Sequence, residues 1–177
     1  MIGGQDMNPV LAANQADLEE CCNAVIELLG RLDDDSLNWK PAVSDTNSIA
    51  GLVIHSMSAL IRWLARGAGA ELPLIDRSGD FIRQSTATEL VALIGTSLVE
   101  TRARLIEIDG LNGSDSIMAH RAHGPSHTVT RAWCVTHAIG HVREHWGAIQ
   151  LTAQLYAVRA KTRRSQLESL RRLKSPI

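Results

Sequence analysis

The chain has 177 residues, 45% of them hydrophobic and 21% charged, with a formal net charge of -1. This length fits one domain that buries its own core, and the nearly balanced charge offers no basic field for nucleic acid. The three cysteines, two of them adjacent, are not the even, spaced set of a secreted disulfide framework. Neither an export signal nor an apolar run long enough for a membrane span is present, so we expect a cytoplasmic protein.

Two helices are predicted in the first 70 residues. The first runs from about Pro9 to Arg31, because an Asn-Pro pair suits a helix start and the apolar residues that follow recur at helical spacing. The acidic residues 33–35 then indicate a solvated connector. The second helix begins after a group of polar capping residues, with Ile49 as its first apolar residue, and ends near Gly67.

The third helix is predicted from a Thr-x-x-Glu capping box at Thr86 to about Ile108. Long, irregular connections flank it, over residues 68–85 and 110–128. Connections of this length are unusual in a compact bundle, so we expect at least one of them to cross an end of the bundle. No alternating pattern of useful length is present, and we predict no strand.

The fourth helix is predicted from near Thr128 to about Arg159 or beyond, a stretch without proline. A second capping box at Ser165 then predicts a separate, short amphipathic helix that packs on the bundle or on a partner subunit. The sequence therefore predicts an all-α protein, with one helical bundle over residues 1–160 and a tail helix over residues 161–177.

Three histidines of the fourth helix provide the strongest functional signal. With His141 as the reference, His137 and His145 lie about 40° to either side on the helix wheel, so all three share one face. Burying three imidazoles without partners is costly, and a metal ion is the most economical shared partner. The pattern therefore predicts a metal site on this face.

A second helix is expected to contribute to that site. One straight helix cannot easily turn three rings onto one ion, so two of its histidines and a ligand from elsewhere fit better. His55 is the only histidine outside residues 120–145, and it lies at the edge of the apolar stripe of the second helix, beside small residues. The alternative role for His55 is that of a hydrogen-bonded structural residue.

Two further residues lie near the predicted site. Glu144 lies between His141 and His145 in an H-x-x-E-H sequence that matches the inverted zincin signature, but those proteases are larger and carry a further acidic ligand downstream. We interpret Glu144 as a general base, a partner of a metal-binding histidine, or a surface carboxylate paired with a neighbouring base. Cys134 lies on the face of His141, as a small core residue or a soft ligand.

A looser group, His120, His123 and His127, lies in the second long connection. Solvated histidines are the default interpretation in a loop that contains glycine and proline. The alternative is that one of the three closes over the metal site.

The chain resembles the DinB/YfiT-like superfamily of four-helix metalloproteins, which includes the mycothiol-dependent maleylpyruvate isomerases. The resemblance covers residues 9–156 and rests on the order and spacing of three stretches, namely 37–41 (LNWKP), 48–55 (SIAGLVIH) and 137–147 (HAIGHVREHWG). It implies an up-down-down-up four-helix bundle, which agrees with the long connections, and frequent homodimers.

Position by position, the resemblance implies that the metal ligands are His55, His141 and His145, with His137 adjacent and not usually a ligand. The chain departs from the family after the last histidine. Where relatives often have Arg-Gly-Gln, it has Trp-Gly-Ala at residues 146–148, so a substrate contact by those side chains is not carried over.

The leading hypothesis is a divalent-metal-binding protein, with Zn or Ni as the metal, that acts as a thiol transferase or isomerase on a small-molecule substrate. A low-molecular-weight thiol would be its cosubstrate. The first alternative is a metal-dependent hydrolase that uses a metal-bound water. The second is a non-catalytic, metal-stabilised bundle with a role in stress response or dimerisation. The fold does not choose among these three, because function depends on the site.

Overall fold

The computed structural model describes residues 7–42, 45–74, 76–119 and 126–173. Helices dominate this part of the chain, and a short antiparallel hairpin precedes the last of them. The elements in chain order are α1 (Pro9–Leu29), α2 (Asp34–Asn38), α3 (Ile49–Ala68), α4 (Arg77–Asp80), α5 (Ala87–Asp109), β1 (Ser116–Ala119), β2 (His127–Thr130) and α6 (Arg131–Leu173). The predicted all-α fold is confirmed.

Side-chain caps fix where three of the four long helices begin. The Asn8 side chain accepts a hydrogen bond from the Val10 amide at the start of α1, and Ser48 caps α3. Both hydrogen bonds of the predicted capping box at Thr86 are formed at the start of α5. At the other end of α3, Gly69 adopts a left-handed conformation with φ of 74°, which glycine tolerates better than other residues.

Contacts between helix ends show the direction in which each long helix runs. The Asn8 amide donates to Asp109 Oδ1 at 3.1 Å, so the start of α1 meets the end of α5. A Cβ at Gly67 would lie 3.1 Å from Ile108 Cδ1, so the ends of α3 and α5 lie together. The Arg131 guanidinium donates to the Gly67 carbonyl at 2.6 Å, so α6 starts where α3 ends. The long helices α1, α3, α5 and α6 therefore run up, down, down and up.

The core lies between these four helices, with α3 packed against both α5 and α6, and α1 packed against the same two. Its largest fully buried side chains are aliphatic, and they include Leu18, Leu29, Ile49, Leu60, Leu64, Leu90, Ile94, Leu105 and Ile149. Burying each such side chain contributes about 1.5–3 kcal/mol relative to leaving it exposed. The connection between α3 and α5, which contains α4, is the crossover that two successive parallel helices require.

One prediction about the connections is incomplete and one is wrong. Residues 33–35 are exposed, as expected for a solvated connector, but Asp34 and Asp35 begin the short helix α2, because Asp33 Oδ1 accepts a hydrogen bond from the Ser36 amide at 2.9 Å and Leu37 is fully buried. The second long connection contains the hairpin, whose four-residue strands are too short to show an alternating pattern.

The last helix differs from the prediction at both ends. It starts at Arg131, three residues later than expected, because Thr130 Oγ1 accepts a hydrogen bond from the Trp133 amide. It then continues through the predicted capping box to Leu173, so the separate tail helix is wrong. Residues 157–171 are exposed, and Arg159 among them contacts the bundle through its guanidinium, which lies 5.5 Å from the centre of the Trp39 ring. The division into a bundle domain and a tail, and contact of the tail with a partner subunit, stay predictions.

Candidate metal centre

Three histidines from two helices converge inside the bundle. His55 comes from α3, and His141 and His145 come from α6. The Nε2 atom of His141 lies 3.3 Å from Nε2 of His55 and 3.2 Å from Nε2 of His145. One nitrogen from each ring lies within 4.8 Å of the others, so the group could hold a metal ion.

The antiparallel packing of α3 and α6 brings these residues together. The end of α3 lies beside the start of α6, so the chain direction places His55, in the first half of α3, opposite a point about a third of the way along α6. There His141 and His145 are one turn apart on a single face. Their local spacing is set by the sequence of one helix, whereas their distance from His55 is set by tertiary packing.

The three imidazoles lie in an environment that favours their neutral forms. Burial is the main cause that lowers the pKa of each ring, and burial together with the surrounding charges brings the pKa of His55 to about 4. Repulsion between the rings lowers the pKa of His55 and His141 further, and the positive charge of Arg77 acts on all three, while Glu144 opposes the shift at His141 and His145. Neutral imidazole is the form that binds metals.

Asp80 is a member of the site that the sequence analysis missed. Its carboxylate is buried, and Oδ2 lies 3.6 Å from Nδ1 of His55, the ring nitrogen that faces away from the other two histidines. Burial raises the pKa of this carboxyl group. A hydrogen bond with Ser58 and the positive charge of Arg83 act in the opposite direction. No local pattern distinguishes Asp80 from other polar residues of the first long connection, so only tertiary structure reveals it.

A close backbone contact holds the Asp80 segment against α3. A Cβ at Gly51 would lie 2.9 Å from the Phe81 carbonyl oxygen and 3.1 Å from Phe81 Cα. The Phe81 ring lies 4.3 Å from the His55 ring, measured between ring centroids. Glycine at position 51, one turn before His55, therefore gives this segment the space to reach the histidine.

Glu144 makes a weaker contact with the site. Its Oε2 lies 3.8 Å from Nδ1 of His141, and its side chain is 78% exposed. An exposed carboxylate at this distance interacts only weakly with an imidazole, because water screens the charge. Its position is compatible with a proton-transfer role at the surface side of the site, and that role stays a prediction.

The structure places His137 beside the three converging histidines and not among them. Its ring stacks on Trp133 at a centroid distance of 4.5 Å, and meets Trp63 edge to face at 4.7 Å. The nearest member of the group is His141, with the ring centroids 5.9 Å apart. His137 thus occupies the neighbouring position that the resemblance implies.

Cys134 and His127 also lie apart from the group. Cys134 is fully buried with Ala119 and Val129 of the hairpin, and burial raises the pKa of its thiol. This is the environment of a core residue. The His127 ring lies 6.0 Å from that of Trp133, and its nitrogens make no hydrogen bond within the described residues. His120 and His123 lie outside the described residues.

An up-down-down-up bundle with three histidines converging between α3 and α6 defines a class of small helical proteins with a candidate metal centre. The chain belongs to the DinB superfamily, whose family model matches residues 17–149 and so includes all three histidines. No curated protein matches the sequence. Among the described residues, no helix combines the length and apolar character needed to cross a membrane.

A solved structure from Enterococcus faecalis, described as a conserved protein of its locus, has a similar fold. It shares 18% sequence identity with this chain, and the similarity covers 82% of this chain and 96% of that one, with a TM-score of 0.67. At this level of identity the likeness supports the fold alone.

Proposed function

We propose that this protein binds a divalent metal ion, Zn or Ni, through the Nε2 atoms of His55, His141 and His145. The observation that carries the proposal is the convergence of three ring nitrogens on one point between two helices. Three neutral imidazoles suit these metals, and three protein ligands are typical of catalytic sites, which keep a position open for substrate.

The activity that we propose is thiol transfer or isomerisation of a small molecule, with a low-molecular-weight thiol as cosubstrate. A divalent ion at this site would favour the deprotonated form of a thiol and polarise a carbonyl group. Neutral ligands leave the charge of such an ion balanced only by the Asp80 and Glu144 carboxylates behind the rings, and Arg77 adds a further positive charge nearby. Both features favour an anionic cosubstrate such as a thiolate.

One observation favours a second candidate function, metal-dependent hydrolysis. Glu144 lies at the exposed side of the site, and its side chain, 78% exposed, could turn from Nδ1 of His141 to take a proton from an attacking water. In the third candidate the ion would only stabilise the bundle or a dimer, with a role in stress response. The ligand set is the same in all three proposals.

The metal content of protein purified without an affinity tag tests the proposal that the three histidines bind a metal ion. We expect about one ion per chain, since three ligands converge on one point. A His55→Ala/His141→Ala variant should lose the ion, and a His127→Ala variant is the matched control because that histidine lies outside the group. Equal metal content in the double variant and the wild type would contradict the proposal.

Titration of the cobalt-substituted protein with low-molecular-weight thiols separates the candidate activities. A thiolate-to-metal charge-transfer band is the result that thiol transferase or isomerase activity predicts. Turnover of an ester or amide without that band would favour the hydrolase. If neither occurs and the melting temperature depends strongly on the metal, the structural role is favoured.

We further propose a cytoplasmic location and a homodimer. All three cysteines are buried and unpaired, which suits a reducing compartment. The exposed part of α6 offers apolar side chains, among them Val158, Leu167 and Leu170, to a second copy. Sedimentation analysis of the untagged protein tests the dimer, and a monomer at micromolar concentrations would contradict it.

A further inference from the structure

The His55–Asp80 pair is a buried polar contact whose two facing atoms have no other partner. His55 is 4% exposed and Asp80 is 6% exposed. Neither Nδ1 of His55 nor Oδ2 of Asp80 forms a hydrogen bond with any described residue, although they face each other across 3.6 Å. Leaving both atoms unpaired in the interior would be costly, so their mutual arrangement requires an explanation.

The contacts of Nε2, on the opposite side of the His55 ring, indicate which ring nitrogen carries the hydrogen. Nε2 of His55 and Nε2 of His145 both lie within 3.3 Å of Nε2 of His141. Two facing nitrogens cannot both carry a hydrogen, so His55 either donates from Nε2, which leaves its Nδ1 and Asp80 Oδ2 without a partner, or carries its hydrogen on Nδ1. A hydrogen on Nδ1 instead leaves the Nε2 lone pair of His55 free and directs the N–H group towards the carboxylate.

We propose that Asp80 is a positioning residue, which accepts a hydrogen bond from Nδ1–H of His55 and so keeps the Nε2 lone pair aimed at the two histidines of α6. Shortening the pair by about 0.5 Å, within the range of a small side-chain rotation, brings it to hydrogen-bond distance. The inference rests on the proposed metal-binding function, because a fixed lone pair is useful where a ligand must be oriented.

The segment that carries Asp80 is built to hold it in place. Asp76 Oδ1 accepts hydrogen bonds from the Gly79 amide at 2.9 Å and from the Ser78 hydroxyl at 2.7 Å, which closes the α4 turn. The Phe81 backbone lies against Gly51, and the Phe81 ring packs on the His55 ring. The turn, the backbone contact and the ring contact together fix the carboxylate beside the imidazole.

Glu144 provides an internal comparison for this assignment. It faces Nδ1 of His141 at a similar distance, 3.8 Å, but its side chain is 78% exposed. No second contact with a described residue restrains it. A carboxylate in water exchanges its contacts freely, whereas the buried Asp80 does not. We therefore assign the positioning role to Asp80 and not to Glu144.

The ring tautomer of His55 in the metal-free protein tests the assignment directly. Two-bond 1H–15N spectra at pH 8 should show the Nδ1–H form in the wild type. An Asp80→Asn variant should shift the ring towards the Nε2–H form, and an Asp80→Glu variant should restore the Nδ1–H form in part. Glu107→Gln is the matched control, because it removes a carboxylate that pairs only with Arg104 on the surface of α5.

Metal affinity, measured by competition with a chelator, is the second readout. Loss of such a partner typically weakens metal binding about 10–100-fold, and we expect this for Asp80→Asn with no change for Glu107→Gln. Equal affinity of Asp80→Asn and the wild type, or an Nε2–H ring in the wild type, would overturn the inference.

The two readouts keep this inference separate from the proposed function. A wild-type protein that binds no metal would contradict the proposed function, and the tautomer would still decide the role of Asp80. If Asp80→Asn does not fold, the wild-type tautomer and the Asp80→Glu variant provide the test. An Nδ1–H ring in both would support the inference, and an Nε2–H ring in either would overturn it.

Discussion

His55 is the residue on which the candidate site depends most. It is the one member from α3, and its ring contacts the rings of Phe81, His141 and His145. Asp80 lies beside it as well, and His55 is 4% exposed, so packing restricts its position before any metal is bound. A histidine held in this way loses little conformational freedom when it binds a ligand.

The acid sensitivity of the metal-free protein follows from the same burial. The pKa of His55 is lowered to about 4 in the folded chain, below its ordinary value of 6.5, so the unfolded chain binds more protons between these values. Stability should therefore be complete above pH 6.5 and decline as the pH falls towards 4, with a loss on the order of 2 kcal/mol by pH 5.

Urea unfolding of the metal-free protein at pH 7.5 and pH 5 measures this loss. A His55→Gln variant should show a smaller difference between the two pH values, because it lacks the titrating ring. A wild-type stability that is the same at both values would contradict the prediction.

Glu144 provides a second prediction at the residue scale. Because its side chain is 78% exposed, Glu144→Gln should weaken metal binding by less than about 3-fold. If Glu144 transfers protons, the variant should lose turnover while keeping its metal. Equal turnover in the variant would contradict the proposed role in hydrolysis, and a large loss of metal would instead identify Glu144 as a part of the binding site.

At the scale of elements, the approach of the Phe81 backbone to α3 is the feature most sensitive to substitution. Gly51→Ala adds a Cβ that would lie 2.9 Å from the Phe81 carbonyl, so the segment must move away from α3. We expect a loss of about 1–3 kcal/mol of stability, as in other overpacked sites, and weaker metal binding because Asp80 moves with it.

Chemical unfolding and metal competition on the Gly51→Ala variant measure these two effects. Gly140→Ala is the matched control, because a Cβ at that position on α6 meets no atom within 4 Å. Unchanged metal affinity in Gly51→Ala would show that the crossover segment does not support the site.

A further prediction about an element concerns removal of the exposed end of α6. Residues 157–171 are exposed throughout, so ending the chain after Ala160 should change the stability of the monomeric bundle by less than about 1 kcal/mol. Thermal unfolding and sedimentation of the shortened chain measure both its stability and its association. A large loss of stability without a change in mass would contradict the observed exposure.

For the whole molecule, metal binding should be linked to folding. The ligands come from α3 and α6, which unfolding would separate, so the ion should stabilise the folded state by about 2.7 kcal/mol at 100 times its Kd. For a chain of this size, that corresponds to a melting temperature higher by about 5–10 °C. Calorimetry with and without a chelator measures the shift, and the His55→Ala/His141→Ala variant should show none.

Local signals in the sequence predicted most of the helices. The capping box at Thr86, the Asn8 cap and the apolar periodicity each depend on residues within a few positions of one another, and the structure agrees with all three. The spacing of His141 and His145 is local in the same sense. Their meeting with His55 followed from the shortage of other histidines and from the family resemblance.

The features that the sequence did not predict depend on contacts between residues that are distant in the chain. Asp80 is recognisable only because α4 packs on α3, and the hairpin strands are held by pairing with each other and by burial of Ala119 and Val129. The capping box at Ser165 misled, because a good helix start also occurs inside a helix that has no reason to stop. Tertiary structure decides each of these cases.

The position of the bound ion tests the central claim most directly. Crystals of untagged protein equilibrated with zinc, with diffraction data collected on both sides of the zinc absorption edge, give an anomalous map that locates the ion independently of any model of its ligands. We predict one peak at about 2.0–2.1 Å from Nε2 of His55, His141 and His145. A peak bound by His137 without His55, or no peak between α3 and α6, would contradict the claim.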